Sequence, residues 1–277
     1  MQLQINGGSA FAYTAAHDLD PAKRTIAFVH GAGLDHSWWG LQSRYFGYHG
    51  FNVLAVDLPA HGRSGGAPLT SIGDMADWIR KILEQRKIVS AAVVGHSMGA
   101  LVALEFAARY PENAEKIALI GVAYPMKVSA AFLDAARRND QAAYDMETIW
   151  SHAAQVPLAG NPNPGMWMYG DTLARLARLA PGVLHTDLMA CNDYADGMEA
   201  LAKLKCPALF ILGARDVMTP PWAAQDLAKA IADSKIVTVV SSGHSLMAEA
   251  PDATLDALVA FLGQGDQARA QRALYTT

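Results

Sequence analysis

The chain has 277 residues, of which 52% are apolar and 17% charged, and its formal net charge at pH 7 is −4. A chain of this length can bury a large core without a metal or a disulfide, and Cys191 and Cys206 do not form a CxxC pattern. The acidic balance and the lack of a long basic run argue against a nucleic-acid partner. No basic start precedes an apolar stretch, and no uninterrupted apolar segment of about 18 residues occurs. These features predict a cytoplasmic protein without a membrane partner and leave its oligomeric state open.

The first predicted element is a hairpin of residues 3–5 and 10–14, joined through the Asn6-Gly7 pair. Short apolar runs then alternate with amphipathic stretches. The runs predict parallel strands at residues 26–29, 53–56, 91–94, 117–120, 208–212 and 236–240. The amphipathic stretches predict helices at residues 72–86, 101–110, 222–231 and 253–262. This alternation predicts an α/β fold with a mostly parallel, doubly wound sheet.

One interval departs from the alternation. Residues 125–201 show only helical patterns, at 130–138, 142–155, 171–179 and 183–191, with a Pro/Asn/Gly-rich loop at 157–165. An insertion of this size between two core strands is predicted to be a helical lid on the sheet. The predicted organisation is a first core part at 1–124, a lid at 125–201, a second core part at 202–263 and a tail of undetermined role at 264–277.

The motif Gly95-His96-Ser97-Met98-Gly99 is the most informative feature for chemistry. G-x-S-x-G alone occurs by chance in many chains, but here it follows a predicted strand and opens a helical stretch, the setting of a nucleophile elbow. Gly95 and Gly99 leave room for the tight turn that such an elbow needs. Ser97 is therefore predicted to be a nucleophile. The alternative is a structural serine in a glycine turn.

A serine hydroxyl needs a base to accept its proton, and the base needs a carboxylate to orient it. His244 follows the last predicted strand, in a Ser-Gly-His loop. Asp216 follows the strand at 208–212, at the sheet edge where open α/β folds place their sites. The loop after the strand at 117–120 offers no carboxylate. His244 and Asp216 are therefore predicted as base and acid, the alternative being loop residues without a catalytic role.

Negative charge on a substrate oxygen needs fixed donors, and we expect the backbone N–H groups of Ala32 and Met98 to supply them. Ala32 lies in the His-Gly-Ala-Gly segment at 30–33, where His30 is expected to hold the loop. No HExxH motif or Cys/His metal spacing occurs, so no metal or other cofactor is predicted. The predicted substrate pocket consists of Trp38, Met146, Trp150, Met166, Trp167 and Met168. The alternative for each is packing within the core or the lid itself.

Together these motifs resemble the lid-bearing serine hydrolases of the α/β-hydrolase fold superfamily, over roughly residues 1–263. The loop at 57–64 also resembles that superfamily's, with Ala60 where its members usually have glycine. The resemblance implies cleavage of the carboxylic ester of a small, largely apolar molecule through an acyl-Ser97 intermediate. Because this fold hosts many reactions, lactone, thioester or carbon–carbon bond hydrolysis, perhydrolysis and non-catalytic ligand binding remain alternatives.

Overall fold

The computed structural model describes residues 1–154, 156 and 166–263, and its centre is an eight-stranded sheet. In chain order the strands are β1 (Gln2–Ile5), β2 (Gly8–Tyr13), β3 (Thr25–Val29), β4 (Asn52–Asp57), β5 (Ala91–His96), β6 (Ala114–Ile120), β7 (Ala208–Gly213) and β8 (Ser234–Val239). Across the sheet the order is β1-β2-β4-β3-β5-β6-β7-β8. The β1–β2 and β2–β4 pairs are antiparallel, and the pairs from β4 to β8 are parallel. The predicted mostly parallel, doubly wound sheet is confirmed.

The N-terminal hairpin has the two-residue turn that the Asn-Gly pair predicts. Ile5 pairs with Gly8, so Asn6 and Gly7 form the loop. Both have positive φ, 53° and 80°, as a type I′ turn requires. The hairpin therefore adds an antiparallel edge to the parallel sheet.

Helices cover both faces of the sheet. Those outside the β6–β7 interval are α1 (Gly40–Tyr48), α2 (Ile72–Gln85), α3 (Met98–Arg109), α9 (Gln225–Ala230), α10 (Leu246–Glu249) and α11 (Pro251–Leu262). Short 3₁₀ helices precede α1 and α9, at His36–Trp39 and Pro221–Ala224. The apolar pattern does not predict α1, because its buried side chains include Gln42 and Ser43. No helix in the described part of the chain is both long and apolar enough to cross a membrane.

Two apolar layers hold the helices to the sheet. Along β3, Ile26 and Phe28 pack into one layer, while Ala27 and Val29 pack into the other. This alternation follows from the two-residue period of a strand. Every residue of α3 except the last, Arg109, is buried. Because α3 is buried on all sides, it gives the turn before it a rigid support.

The β6–β7 interval is the helical insertion, defined here as residues 121–207. Its helices are α4 (Ala130–Arg137), α5 (Gln141–Trp150), α6 (Met168–Leu176), α7 (Val183–Asp193) and α8 (Gly197–Ala202). No strand occurs among its described residues. Helix α4 packs against α5 and α7, and α5 packs against α6, whereas α8 packs against α3 and α9 beside the sheet. The predicted loop at 157–165 and the predicted tail at 264–277 lie outside the described residues, and the lid limits at 125 and 201 stay a prediction.

Candidate active site

Ser97 occupies the turn between β5 and α3. Its φ of 54° and ψ of −116° lie in a region that non-glycine residues rarely adopt, at a cost on the order of 1–3 kcal/mol. Its N–H donates to the carbonyl of Ile120 on the neighbouring strand β6, at 2.9 Å. A side chain at Gly95 would collide with the backbone of Gly99, and one at Gly99 with the backbone of Val29. The two glycines therefore permit the tight turn predicted from the motif.

Asp216 and His244 form a buried pair at the carboxyl edge of β7 and β8. The Oδ2 atom of Asp216 lies 2.7 Å from Nδ1 of His244. Thr219 donates its hydroxyl to the same oxygen at 2.7 Å. The backbone N–H groups of Met218 and Thr219 donate to Oδ1, each at 2.8 Å. These bonds fix the carboxylate and leave Nε2 of His244 as the ring nitrogen available for proton transfer.

His96 connects the turn that holds Ser97 to the histidine loop, which is residues 240–245 between β8 and α10. It immediately precedes Ser97, and its Nε2–H donates to the carbonyl of His244 at 2.9 Å. The two imidazole rings lie with their centroids 4.6 Å apart. A side chain at Gly121 would approach to 3.0 Å from Nδ1 of His244, so this glycine leaves space for the ring. The predicted residues Ser97, Asp216 and His244 thus meet at one edge of the sheet.

The electrostatics of the pair favour a charged acid and a basic histidine. Burial would raise the pKa of Asp216, but the nearby His244 and the hydrogen bonds from Thr219 outweigh burial and lower it to about 2. Burial would lower the pKa of His244, but Asp216 outweighs burial and raises it. Burial and the neighbouring His244 hold the pKa of His96 well below its usual value, so His96 stays neutral and donates. A neutral His244 on an ionised Asp216 can therefore accept a proton.

The two predicted oxyanion donors flank the serine. Met98 is the first residue of α3, where backbone N–H groups have no acceptor within the helix. Ala32 lines the same cavity as Ser97. The loop holding Ala32 is fixed by His30, as expected, since His30 Nδ1 bonds to the carbonyl of Gly31 at 2.9 Å and Nε2 accepts the N–H of Leu58 at 3.1 Å.

The loop of Ala32 is also tied to the insertion. Asp187 of α7 accepts the N–H of Gly33 and the Nε2–H of His61, both at 2.8 Å. Burial would lower the pKa of His61, but Asp187 outweighs burial and raises it, which favours a buried ion pair. Sequence reasoning missed this contact. His61 stands in the motif at 57–64, but nothing in the sequence around Asp187 indicates that Asp187 is the partner of His61.

A cavity of about 370 Å³ opens beside Ser97. Its floor includes Ala32 and Ser97. The rest of its wall is Met126, Lys127, Val128, Ser129, Phe132, Glu147, Trp150, Leu188, Cys191, Val217, Met218 and Thr219. Nine of these twelve wall residues come from the helical insertion. The insertion therefore supplies most of the surface that a molecule bound near Ser97 would touch.

The structure places one of the six predicted pocket residues, Trp150, in this wall. Trp38 is 6% exposed, between the ring of His96 at 5.9 Å and the guanidinium of Arg175 at 5.7 Å. Met146 packs into the core layer that includes α3. Helix α6 begins at Met168, which is buried, and this leaves Met166 and Trp167 40% and 75% exposed before its first turn. The cavity wall therefore differs from the predicted one.

Sequence reasoning also missed Glu249, which joins the histidine loop to the insertion. The carboxylate of Glu249 accepts the N–H of Gly243 at 3.1 Å and the N–H of Ala153 at 3.0 Å. Next to it, the N–H of Ser245 donates to the carbonyl of Ser151 at 2.8 Å. Glu249 stands five residues after His244, which is the one local signal that could have drawn attention to it.

One group of side chains in the described residues has the spacing of a metal site. The ligand atoms of Asp35, His36 and Asp57 lie within 4.8 Å of one another. His36 Nδ1 already bonds to both oxygens of Asp57, at 2.8 and 3.0 Å, and the N–H of Arg63 donates to Oδ2 at 2.8 Å. This carboxylate is satisfied within the fold, and the group does not line the cavity beside Ser97.

The serine turn after β5, with an acid and a histidine beyond β7 and β8, defines a hydrolase of the α/β type. The chain belongs to the alpha/beta hydrolase family, whose sequence profile matches residues 26–257. It is 28% identical over 236 residues to a pimeloyl-[acyl-carrier protein] methyl ester esterase of Neisseria meningitidis, covering 81% of this chain and 88% of that one. It is 24% identical to a putative carbamate hydrolase, RutD, of Azorhizobium caulinodans, in an alignment that covers 95% of this chain and 98% of that one.

Solved structures agree with this fold. The enol-lactonase from Burkholderia xenovorans LB400 superimposes with a TM-score of 0.82 at 23% identity, over 95% of this chain and all of that one. An esterase from Exiguobacterium antarcticum superimposes with a TM-score of 0.81 at 17% identity, over 94% and 97%. At these identities the likeness establishes the fold, and the chemistry has to be argued from the site.

Proposed function

We propose that the protein hydrolyses the carboxylic ester of a small molecule, with Ser97 as nucleophile, His244 as general base and Asp216 as the acid that orients the histidine. The Asp216–His244 bond of 2.7 Å, held at the serine turn by His96, carries this proposal. An Asp–His pair of this kind activates a serine hydroxyl, which is otherwise a poor nucleophile. The ester activity of the curated relative supports the choice of bond.

The reaction has two halves. His244 accepts the proton of Ser97 as the hydroxyl attacks the ester carbonyl, and the N–H groups of Ala32 and Met98 stabilise the negative oxygen. The imidazolium then gives its proton to the departing alcohol, which leaves an acyl-Ser97. Water attacks this acyl group with His244 again as base, and releases the acid. Asp216 stays ionised throughout, because its pKa of about 2 is far below that of the imidazolium that it stabilises.

The substrate is a small molecule with a largely apolar body. Phe132 and Trp150 form an aromatic wall, with ring centroids 5.7 Å apart and planes at 89°. Leu188 and Val128 extend this surface, and an apolar wall of this kind favours hydrocarbon over charged groups. We infer that helices α4, α5 and α7 serve as the lid that determines which esters enter.

Trapping the acyl-enzyme tests this proposal. Rapid mixing with 4-nitrophenyl acetate is expected to release a burst of nitrophenolate, and mass spectrometry of quenched enzyme is expected to find the acetyl group on the peptide that contains Ser97. Ser97→Ala is expected to abolish the label and lower kcat by about 10⁴-fold or more while the fold survives. Turnover that persists in Ser97→Ala, or a label on another residue, would contradict the assignment. Matched lactone, thioester and dienone substrates then distinguish the other bond types.

A further inference from the structure

A carboxyl group in the cavity wall has no role in the chemistry proposed for Ser97. Glu147 lies on α5 and is 6% exposed, and it lines the same cavity as Ser97. Its Oε2 atom is fully buried and has no hydrogen-bond partner in the described part of the chain. A buried polar atom left without a partner costs on the order of 1–3 kcal/mol, so such groups usually have a purpose.

Among the described residues that line the cavity, Lys127 is the only lysine or arginine, and it is bonded elsewhere. Lys127 also lines the cavity, but its ammonium group donates to the carbonyl of Asn192 at 2.6 Å. Burial is the largest influence on the pKa of Glu147 and raises it to about 7; the negative charge of Asp187 adds to this, and His244 opposes it. At pH 7 a pKa of about 7 leaves roughly half of the Glu147 carboxyls neutral, and a larger share at lower pH. The neutral acid can both donate and accept a hydrogen bond.

We propose that Glu147 determines specificity by binding a hydroxyl group of the substrate, so that the preferred substrates are esters with an apolar body and a hydroxyl away from the carbonyl. A hydroxyl both donates and accepts, and so it matches the two capacities of a neutral carboxyl. It also brings no charge into an apolar wall, unlike an ammonium or a carboxylate. This inference rests on the proposed ester hydrolysis at Ser97.

The test compares pairs of esters that differ by one hydroxyl. One series consists of 4-nitrophenyl esters of phenylacetic, 3-phenylpropanoic and 4-phenylbutanoic acids, each with and without a para-hydroxyl. A second series places the ring on the alcohol side, as acetates of benzyl alcohol, 2-phenylethanol and 3-phenylpropanol, again each with and without a para-hydroxyl. A para-hydroxyl is too far from its own carbonyl to react with it. The readout is the ratio of kcat/KM within each pair, which cancels general changes in catalysis.

Wild type is expected to favour the hydroxylated member at one chain length by on the order of 10- to 100-fold, as expected when a hydroxyl satisfies a buried partner. Glu147→Met, which fills the space without a hydrogen bond, is expected to bring that ratio to about one. Glu147→Gln keeps an acceptor and a donor and is expected to retain a preference for the hydroxylated ester. Asp145→Asn changes an exposed carboxylate on the same helix and is expected to leave the wild-type ratio unchanged.

Three results would overturn the inference. They are a ratio near one in wild type for all six pairs, a ratio that survives in Glu147→Met, and a loss of kcat in Glu147→Gln that is equal for both members of each pair. The last would assign Glu147 to the chemistry instead. The wild-type ratios do not depend on whether a variant folds. If acetate turnover depends on Ser97 while the ratios stay flat, this inference fails and the proposed function stands.

Discussion

Two buried carboxyl groups near His244 have opposite properties. Asp216 is 4% exposed, accepts four hydrogen bonds, and has a pKa of about 2. Glu147 is 6% exposed, has an oxygen without a partner among the described residues, and has a pKa of about 7. Burial is therefore not what separates them. The difference is in the donors: the sheet edge supplies a complete set to its acid, whereas the insertion leaves its acid to face the cavity.

The difference between the two carboxyl groups corresponds to the different tasks proposed for the sheet edge, which is catalysis, and for the cavity wall, which is substrate binding. The sheet edge has to hold a charge in one fixed geometry, so its groups are bonded before a substrate arrives. The cavity wall has to leave polar atoms free for whatever it binds.

Among the variants of the two carboxyl groups and the cavity wall, Asp216→Asn is expected to have the largest effect. An asparagine keeps the size of the side chain but presents an N–H₂ group or a neutral oxygen to Nδ1 of His244, so the imidazole loses its orientation and its counter-charge. We expect kcat for 4-nitrophenyl acetate to fall by roughly 10²–10⁴-fold with the fold intact by circular dichroism. Asp193→Asn, an exposed acid at the end of α7, is the control and should be near wild type. Comparable losses in both variants would remove Asp216 from the site.

The two tryptophans predicted for the pocket should behave differently. Trp150 lines the cavity against Phe132, and Trp167 is 75% exposed. Trp150→Ala is expected to change the ratio of kcat/KM for a bulky aromatic ester over acetate by roughly 10- to 200-fold, because an apolar contact gives discrimination of this order. Trp167→Ala is expected to leave that ratio within about twofold, the usual result for an exposed site. A larger effect of Trp167 than of Trp150 would mean that the cavity wall is assigned incorrectly.

Glu147 should also affect how stability depends on pH. The pKa of Glu147 is raised from the ordinary 4.5 to about 7 in the folded protein. As pH rises from 4.5 to 7, this carboxyl ionises in the unfolded chain before it ionises in the folded one, so the free energy of unfolding decreases. The shift corresponds to an upper bound of about 3 kcal/mol above pH 7. Glu147→Gln removes the ionisation, so its Tm relative to wild type should increase between pH 4.5 and pH 8. The measurement is paired thermal unfolding of both proteins across that range. A constant Tm difference would show that Glu147 titrates normally.

The smallest effect concerns the decrease of kcat/KM at acidic pH. His244 has to be neutral to accept the proton of Ser97, and Asp216 raises its pKa above the ordinary 6.5. We expect kcat/KM for 4-nitrophenyl acetate to rise with pH through a midpoint above 6.5. Because Glu249 also raises the pKa of His244, Glu249→Gln should move the midpoint down. A midpoint at or below pH 6.5 in wild type would mean that Asp216 does not raise the pKa of His244.

How far the sequence predicts this molecule depends on the range of the contacts involved. The parallel strands follow from apolar runs, and Ser97, Asp216 and His244 follow from their places after β5, β7 and β8, because parallel strands end at one edge. The bond between Thr219 and Asp216 spans three residues, but sequence alone does not say that this threonine turns inward. The bonds of His96 and Asp187 join residues more than 100 positions apart and leave no local pattern.

The insertion was harder to predict from the sequence, because the side chains that line its cavity are determined by contacts between distant residues. The predicted helical stretches overlap α4, α5, α6 and α7, whereas α8 was not predicted. On α6, Met168, Thr172 and Leu176 fall on one buried face. Periodicity does not say whether a face covers the cavity or another helix. Trp167 and Trp150 have the same side chain, but α6 begins at Met168, one residue after Trp167, and the side chain of Trp167 is exposed to solvent. Glu147 looks like an ordinary charged residue until the packing of α5 buries it.

The attachment between residues 151–153 and the histidine loop bears on how such an enzyme can change its substrate over evolutionary time. On the insertion side the bonds are made by the carbonyl of Ser151 and the N–H of Ala153, which every sequence without proline at 153 possesses. Side chains of α4 and α5 can therefore be exchanged without withdrawing support from His244. Selection for a new ester can proceed one wall residue at a time, provided that Glu249 on the opposite side is retained.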